Sequence, residues 1–303
     1  MKKAYLSKYK RQSGGIPFVI TGRDIEIMRA VNRYRYLKTN QVKRLLFPEN
    51  KAIDSARRRL RYLFHNKFLG RVTPFVRIGE GAEETAYFLD KAGIELLQDS
   101  GEEIYFLQKQ GGQVRHRFLS HALDISEFRL NLELAIQSHP VISLQRFTAD
   151  FEMKEHTKKA IGKKIYKLYD EAIHPVNKKR YVVYPDALII LRGKGEYEKF
   201  QRLYFLEIDR GTETLSRIRD KVIGYSLYLK QKIFTKFGKF SAFKVLFQTN
   251  SGKRAKNIRN ALINLDGTEL IWITDVSRIS DDTLLTAPVW QDHEMQEKAI
   301  LKG

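Results

Sequence analysis

Tyr184-Pro-Asp-Ala-Leu-Ile-Ile and Tyr204-Phe-Leu-Glu-Ile-Asp-Arg-Gly-Thr-Glu decide the fold of this chain. Both read as strands, the first within Tyr181 to Leu191 and the second from Arg202 to Asp209. Asp186 follows a proline at the head of an apolar run. Glu207 and Asp209 are two residues apart, so in a strand they share one side while Leu206 and Ile208 take the other. Three carboxylates gathered on one face are costly unless a cation neutralises them. Oxygen-only clusters suit Mg²⁺ or Mn²⁺, and such ions assist phosphodiester chemistry. The alternative is structural: Asp186 ends a turn, and Glu207 and Asp209 line a solvated sheet face.

Charge supplies the second clue. The 303 residues carry a formal net charge of +20, which favours a polyanionic partner. Residues 1–75 hold 19 Lys and Arg against 4 Asp and Glu, a net of +15. Such an excess in one quarter of the chain is a nucleic-acid footprint. A basic membrane-surface segment would instead gather its charge in one isolated amphipathic helix. With no Cys, disulfides and Cys-based zinc sites are excluded, and the seven His lack metal-ligand spacing. No run approaches the roughly 20 apolar residues of a membrane helix, and Met1 to Lys8 has no apolar core for a signal peptide. The expectation is a cytoplasmic protein with no membrane partner.

Working back toward the N-terminus, residues 1–18 read as a basic arm broken by Gly14, Gly15 and Pro17. Thr21 caps a first helix with Asp24 at the capping-box position and Ile25, Ile27, Met28 and Val31 apolar. Thr39 opens a short second helix that Pro48 stops. A third runs from about Ala52 to Asn66 with Ile53, Ala56, Leu60, Leu63 and Phe64 inward. Its far face then carries Arg58, Arg61, Tyr62 and His65, with Arg57 and Arg59 at the flanks. Arg71 to Arg77 and Thr85 to Leu89 can pair across Gly79-Glu-Gly-Ala, and a helix resumes after Asp90. This is the order of a winged helix-turn-helix, whose last helix enters the major groove. Arg57, Arg58, Arg61, Tyr62 and His65 are the candidate DNA-binding residues; the structural alternative is a solvated helix face.

Gly101 to Gly112 is a polar connector. Beyond it the pattern gives a helix from Val114 to Gln137, a strand from Val141 to Phe151 and a basic loop at Lys154 to Lys164. Tyr166 to Leu168 is a further short strand. After the two acidic strands come a helix from Thr214 to Lys232, a strand at Phe243 to Gln248, a basic helix from Lys253 and a strand at Leu270 to Thr274. Tyr225 falls on the apolar stripe of the helix after Asp209 and reads as core. Strands alternating with helices imply a mixed α/β sheet. The expected organisation is an arm (1–18), a winged helix (19–100), a linker (101–113), an α/β domain (114–280) and a tail (281–303).

With Pro-Asp on one strand and Glu-x-Asp on the next, the α-β-β-β-α-β order resembles the PD-(D/E)XK nuclease-like core. The chain as a whole, over about residues 18–275, resembles the replication-relaxation family of plasmids and related mobile elements in bacteria. The likeness rests on the N-terminal helices, Tyr87 to Leu97 (Tyr-Phe-Leu-Asp-Lys-Ala-Gly-Ile-Glu-Leu-Leu), the Tyr-Pro-Asp-Ala step, Leu206 to Glu213, and Lys221 and Tyr225 downstream. It implies a DNA-binding accessory role in plasmid or phage replication or DNA relaxation, with double-stranded DNA and replication proteins as partners. Active nucleases of this fold carry Asp/Glu-x-Lys in the second motif, and here the third position is Asp209. Asp186, Glu207 and Asp209 are the catalytic candidates, with Lys221 standing in for that lysine only if its helix crosses the strand ends; the alternative for Lys221 is an exposed helix lysine. The first three are the candidate ligands for Mg²⁺ or Mn²⁺. The resemblance therefore leaves two alternatives: a metal-dependent nickase, or a non-enzymatic regulator on a degenerate nuclease-like scaffold.

Overall fold

A computed structural model describes residues 10–12, 14–49, 53–72, 84–106, 114–153 and 166–301. The fold is mixed α/β, and the chain divides into two compact units, Met1–Glu127 and Phe128–Gly303. The expected hairpin tip at Gly79 and the basic loop at Lys154 to Lys164 lie outside the described residues.

The first unit runs α1 (Gly22–Tyr34), β1 (Leu37–Lys38), α2 (Thr39–Leu46), α3 (Ile53–His65), β2 (Leu69–Val72), β3 (Ala86–Leu89) and α4 (Lys91–Asp99). The long helix α5 (His116–Gln137) begins in this unit and ends in the next. The α1 start follows its capping pattern: the Asp24 carboxylate accepts the Thr21 backbone N–H at 2.7 Å. β2 and β3 pair antiparallel, with Leu69 opposite Leu89 and Val72 opposite Ala86. β1 adds to the other edge of β3, giving the order β1-β3-β2. Ile27, Met28 and Val31 of α1, Val42 of α2 and Ala56, Leu60 and Leu63 of α3 are buried. The apolar periodicity of all three helices thus points to one core.

Residues 10–12 and 14–18 do not extend away from this unit. Arg11 donates to the carbonyl oxygens of Phe64 (2.9 Å) and Leu69 (2.8 Å) and pairs with Asp90. The Ile16 N–H donates to the Asn66 side-chain oxygen at 3.2 Å.

The second unit is built on a seven-stranded sheet. Its strands are β4 (Ile142–Ala149), β7 (Ala187–Gly193), β8 (Gln201–Asp209), β9 (Lys244–Thr249), β10 (Ile271–Asp275), β11 (Trp290–Gln291) and β12 (Glu297–Lys298). Their spatial order is β12-β11-β10-β9-β8-β7-β4. β8, β9 and β10 run parallel; the remaining pairings are antiparallel. Helices α6 (Leu215–Lys230) and α7 (Gly252–Leu262) follow β8 and β9. They cover the face that presents Leu203, Phe205, Val245, Phe247, Ile271 and Ile273. On the opposite face Tyr204, Leu206 and Leu246 are buried as well. A strand covered on both faces reads as a continuous apolar run, as Leu203 to Leu206 does.

Three sequence expectations change here. Tyr181 to Leu191 is two strands: β6 (Arg180–Val183) pairs with β5 (Asp170–Ile173) in a separate hairpin, and β7 starts only at Ala187. The break falls at Tyr184-Pro185-Asp186, where proline offers no N–H to a ladder. Tyr166 to Leu168 contributes an isolated bridge from Tyr166 to Met153 instead of a strand. The C-terminal segment adds β11 and β12 to the sheet edge, with Trp290 fully buried and its ring 6.4 Å from that of Phe128.

Candidate nucleic-acid interface and the charged strand end

In α3, burying Ala56, Leu60, Leu63 and Phe64 forces the intervening arginines outward. Arg57, Arg58 and Arg61 are exposed. Arg57 and Arg61 are i,i+4 neighbours with Arg58 beside them, so the three guanidinium groups occupy one face. Among the described residues, only Arg57 of that face has an ion partner, Asp54 at 3.2 Å one turn earlier.

Arg59 belongs to the scaffold. It donates to Asp24 at 2.7 Å and to the Val19 carbonyl at 3.0 Å. The hydrogen bond to Asp24 holds its pKa above the ordinary guanidinium value. Tyr62 and His65 are not on the open face that the helical wheel gave them. Tyr62 is half-buried with its ring 5.9 Å from that of Phe18. His65 is buried, and its Nδ1 accepts the Gln12 N–H at 3.1 Å. The N-terminal segment folds back over this flank, a contact between distant residues that helix periodicity does not contain.

In the second unit, Glu207 and Asp209 share a face of β8, as their spacing requires. That face lies beneath α6 and α7, so the two carboxylates are 2% and 6% exposed. The solvated-face alternative fails for this reason. Asp186, half-buried, sits just before β7 and joins the ladder twice. Its N–H donates to the Leu206 carbonyl at 2.9 Å, and its Oδ2 accepts the Ile208 N–H at 2.6 Å. The side chain thereby takes up a backbone donor at the point where proline interrupts the strand.

Each of the two buried carboxylates meets a side-chain cation. Lys221 of α6 donates from Nζ to Glu207 Oε2 at 2.7 Å, and Tyr225, one turn on, donates its hydroxyl to Oε1 at 2.6 Å. Arg254 of α7 grips Asp209 with both arms of its fork, Nε to Oδ2 at 2.6 Å and Nη2 to Oδ1 at 3.2 Å. Glu213 links the two pairs: Lys221 Nζ lies 2.9 Å from its Oε2, and Arg254 Nη2 donates to its carbonyl oxygen at 2.6 Å. The connection from β8 to α6 turns at Gly211, whose φ of +75° favours glycine.

Burial pushes the Glu207 carboxyl above its ordinary pKa; Lys221 opposes this and the Asp186 charge adds to it. Burial acts to lower the Lys221 ammonium, but Glu207, Asp186 and Glu213 together hold it above its ordinary value. Burial, then Glu207, raises the Tyr225 phenol.

All four oxygens of Glu207 and Asp209 thus accept hydrogen bonds from Lys221, Tyr225 and Arg254. Among the described residues no group of three or more His, Cys, Asp or Glu is placed to hold a metal ion. As arranged, Asp186, Glu207 and Asp209 do not fit Mg²⁺ or Mn²⁺; the cations that balance this strand end are the chain's own. Sequence reading missed Arg254 and Glu213. It also took Tyr225 for core alone, although a tyrosine four residues after Lys221 is a signal that both reach one partner. Arg254 carried none, being one of several cations on a basic helix.

This chain belongs to the replication-relaxation family, whose sequence profile matches residues 28–242. No curated protein and no solved structure matches it. The family's description ties the chain to replication and relaxation. Among the described residues no helix is long and apolar enough to cross a membrane.

Proposed function

We propose that this protein is a double-stranded DNA-binding accessory factor in the replication or relaxation of a plasmid or phage element. Its first unit acts as a winged helix with α3 as the recognition helix, and its second is a PD-(D/E)XK-like scaffold. The observation that carries this reading is the exposed Arg57, Arg58 and Arg61 face in a segment of net charge +15. Arginine forks suit both phosphate and guanine edges. Replacing Arg58 and Arg61 together by Ala should weaken duplex binding about tenfold and flatten the dependence of log affinity on log salt by about 2. Fluorescence anisotropy of a labelled duplex across a salt series measures both. Unchanged affinity and slope would remove α3 from the interface.

Non-enzymatic action is the reading favoured for the second unit, because Glu207 and Asp209 are already committed to Lys221, Tyr225 and Arg254. One observation favours the nickase instead. Lys221 reaches Glu207 across the strand end, where the nuclease-like pattern wants a lysine beside the carboxylates. Supercoiled plasmid incubated with Mn²⁺ and wild type, Glu207→Ala or Lys221→Ala separates the two. Intact plasmid with every protein supports the scaffold; nicking by wild type that both substitutions abolish supports the enzyme.

A further inference from the structure

A cleft of about 550 Å³ opens in the second unit at the end of the sheet opposite Glu207 and Asp209. It is formed where β8 and β9 begin and where the loop Lys239 to Phe243 enters β9. Lys199, Arg202, Lys239 and Lys244 line it together with Phe240 and Trp272, and no acidic side chain is in the lining. Its volume falls in the range of roughly 300–1,000 Å³ typical of sites for small ligands. That is room for a strand's backbone and a base, and too little for a duplex.

Some cations of this unit are committed to ion pairs, and those of the cleft are not among them. Lys221, Arg254, Lys167 and Lys230 each sit against a carboxylate. Lys199, Arg202 and Lys239 are exposed, and among the described residues none of them has a carboxylate partner. Arg202 donates to the Gln201 carbonyl at 3.3 Å, and Lys244 donates to the Glu269 carbonyl at 2.8 Å. Glu269 and Asp292 act on Lys244, whereas Lys199, Arg202 and Lys239 stand exposed around the concavity, where a bound anion would balance them. The rings complete the chemistry. Phe240 in the lining is half-buried, Trp272 is buried, and Lys244 Nζ lies 6.0 Å from the centroid of the Trp272 ring. Cations tracking a backbone beside an aromatic surface are the arrangement that holds single-stranded nucleic acid.

We propose that this cleft binds a single strand of nucleic acid, the phosphates against Lys199, Arg202 and Lys239 and a base against Phe240. The site draws on no residue of α3, and its standing does not depend on duplex binding there.

The test uses the full chain with a fluorescent thymidine oligomer, an abasic oligomer of equal length and a hairpin duplex. The triple variant Lys199→Ala, Arg202→Ala, Lys239→Ala changes exposed side chains only. It should bind the thymidine oligomer about tenfold more weakly, with a log–log salt slope smaller by about 2. Hairpin binding should stay within about twofold of wild type, because α3 is untouched. Phe240→Leu should weaken the thymidine oligomer several-fold and leave the abasic oligomer unchanged. Arg58→Ala with Arg61→Ala should do the reverse of the triple variant, losing the hairpin and keeping the oligomer. The proposal is overturned if the triple variant binds the thymidine oligomer as wild type does. Equal losses on oligomer and hairpin, or a silent Phe240→Leu, overturn it too.

Discussion

The outer face of α3 and the C-terminal end of β8 are both rich in charge, and the fold treats them in opposite ways. On that outer face three arginines stand in solvent, and the ion pair Arg57 makes there with Asp54 has side chains 60% and 85% exposed. At the end of β8 the carboxylates are almost fully buried, and Lys221 and Arg254 close on them within 2.7 Å. An exposed cation keeps its hydration and remains available to a polyanion at little cost to folding. A buried pair has given up hydration on both sides and is committed to its partner. The same residue types are therefore left in solvent in one unit, on the face proposed to meet DNA, and closed into an internal brace in the other, and burial tells them apart.

The largest effect should come from breaking the brace. Lys221→Met leaves Glu207 without its cation and should lower the unfolding free energy by about 3–5 kcal/mol in a urea titration. Arg254→Ala should act similarly on Asp209. Losses below about 1 kcal/mol would erase the contrast between the regions.

On α3 the expectation is inverted. Arg58→Ala with Arg61→Ala, which should cost affinity for DNA, should leave the unfolding free energy within about 0.5 kcal/mol of wild type. A cooperative loss of stability would show that these side chains support the fold.

Acidity sharpens the comparison further. Glu207 titrates above its ordinary value of 4.5, so its favourable contribution is full below that pH and is lost as pH rises through the folded-state pKa. Glu207→Gln stays neutral throughout. Its melting temperature should therefore gain on wild type as pH rises from about 4.5 toward 7. A difference that is flat or shrinks with pH contradicts the raised carboxyl.

The smallest effect is assigned to Asp54→Ala. Losing this exposed partner of Arg57 should change stability by less than about 1 kcal/mol. Duplex affinity should rise slightly, because one negative charge leaves the binding face. Weaker duplex binding would mean that Asp54 positions Arg57 for contact.

Much of this was legible in the chain itself. Period-3.6 apolar stripes located α1, α3 and α6, and the period of 2 in Leu206-Glu-Ile-Asp placed both carboxylates on one side of β8. Lys221 was legible as a residue that reaches the acidic strand only if its helix crosses the strand end, and the helix does cross it. The misreadings have two causes, one local and one tertiary. Strand β6 was merged with β7 because their side-chain pattern is continuous, although Pro185 marks the break. His65 was placed outward because a helical wheel contains no N-terminal segment to cover it. Trp290 lies in a segment with no period of its own, and its burial comes from the sheet edge it joins.

By itself, the sequence determined the local elements and the identity of the charged residues, because hydrophobic period, caps and proline act over a few residues. It also determined that the basic excess belongs to the N-terminal quarter. Which charges face water and which face each other was decided only by tertiary structure. Glu207 and Lys221 are 14 residues apart and Asp209 and Arg254 are 45 apart, and they meet because two helices pack on the sheet face that carries the carboxylates. The cost of a buried charge depends on the partner delivered to it, and that delivery is a property of the assembled layers.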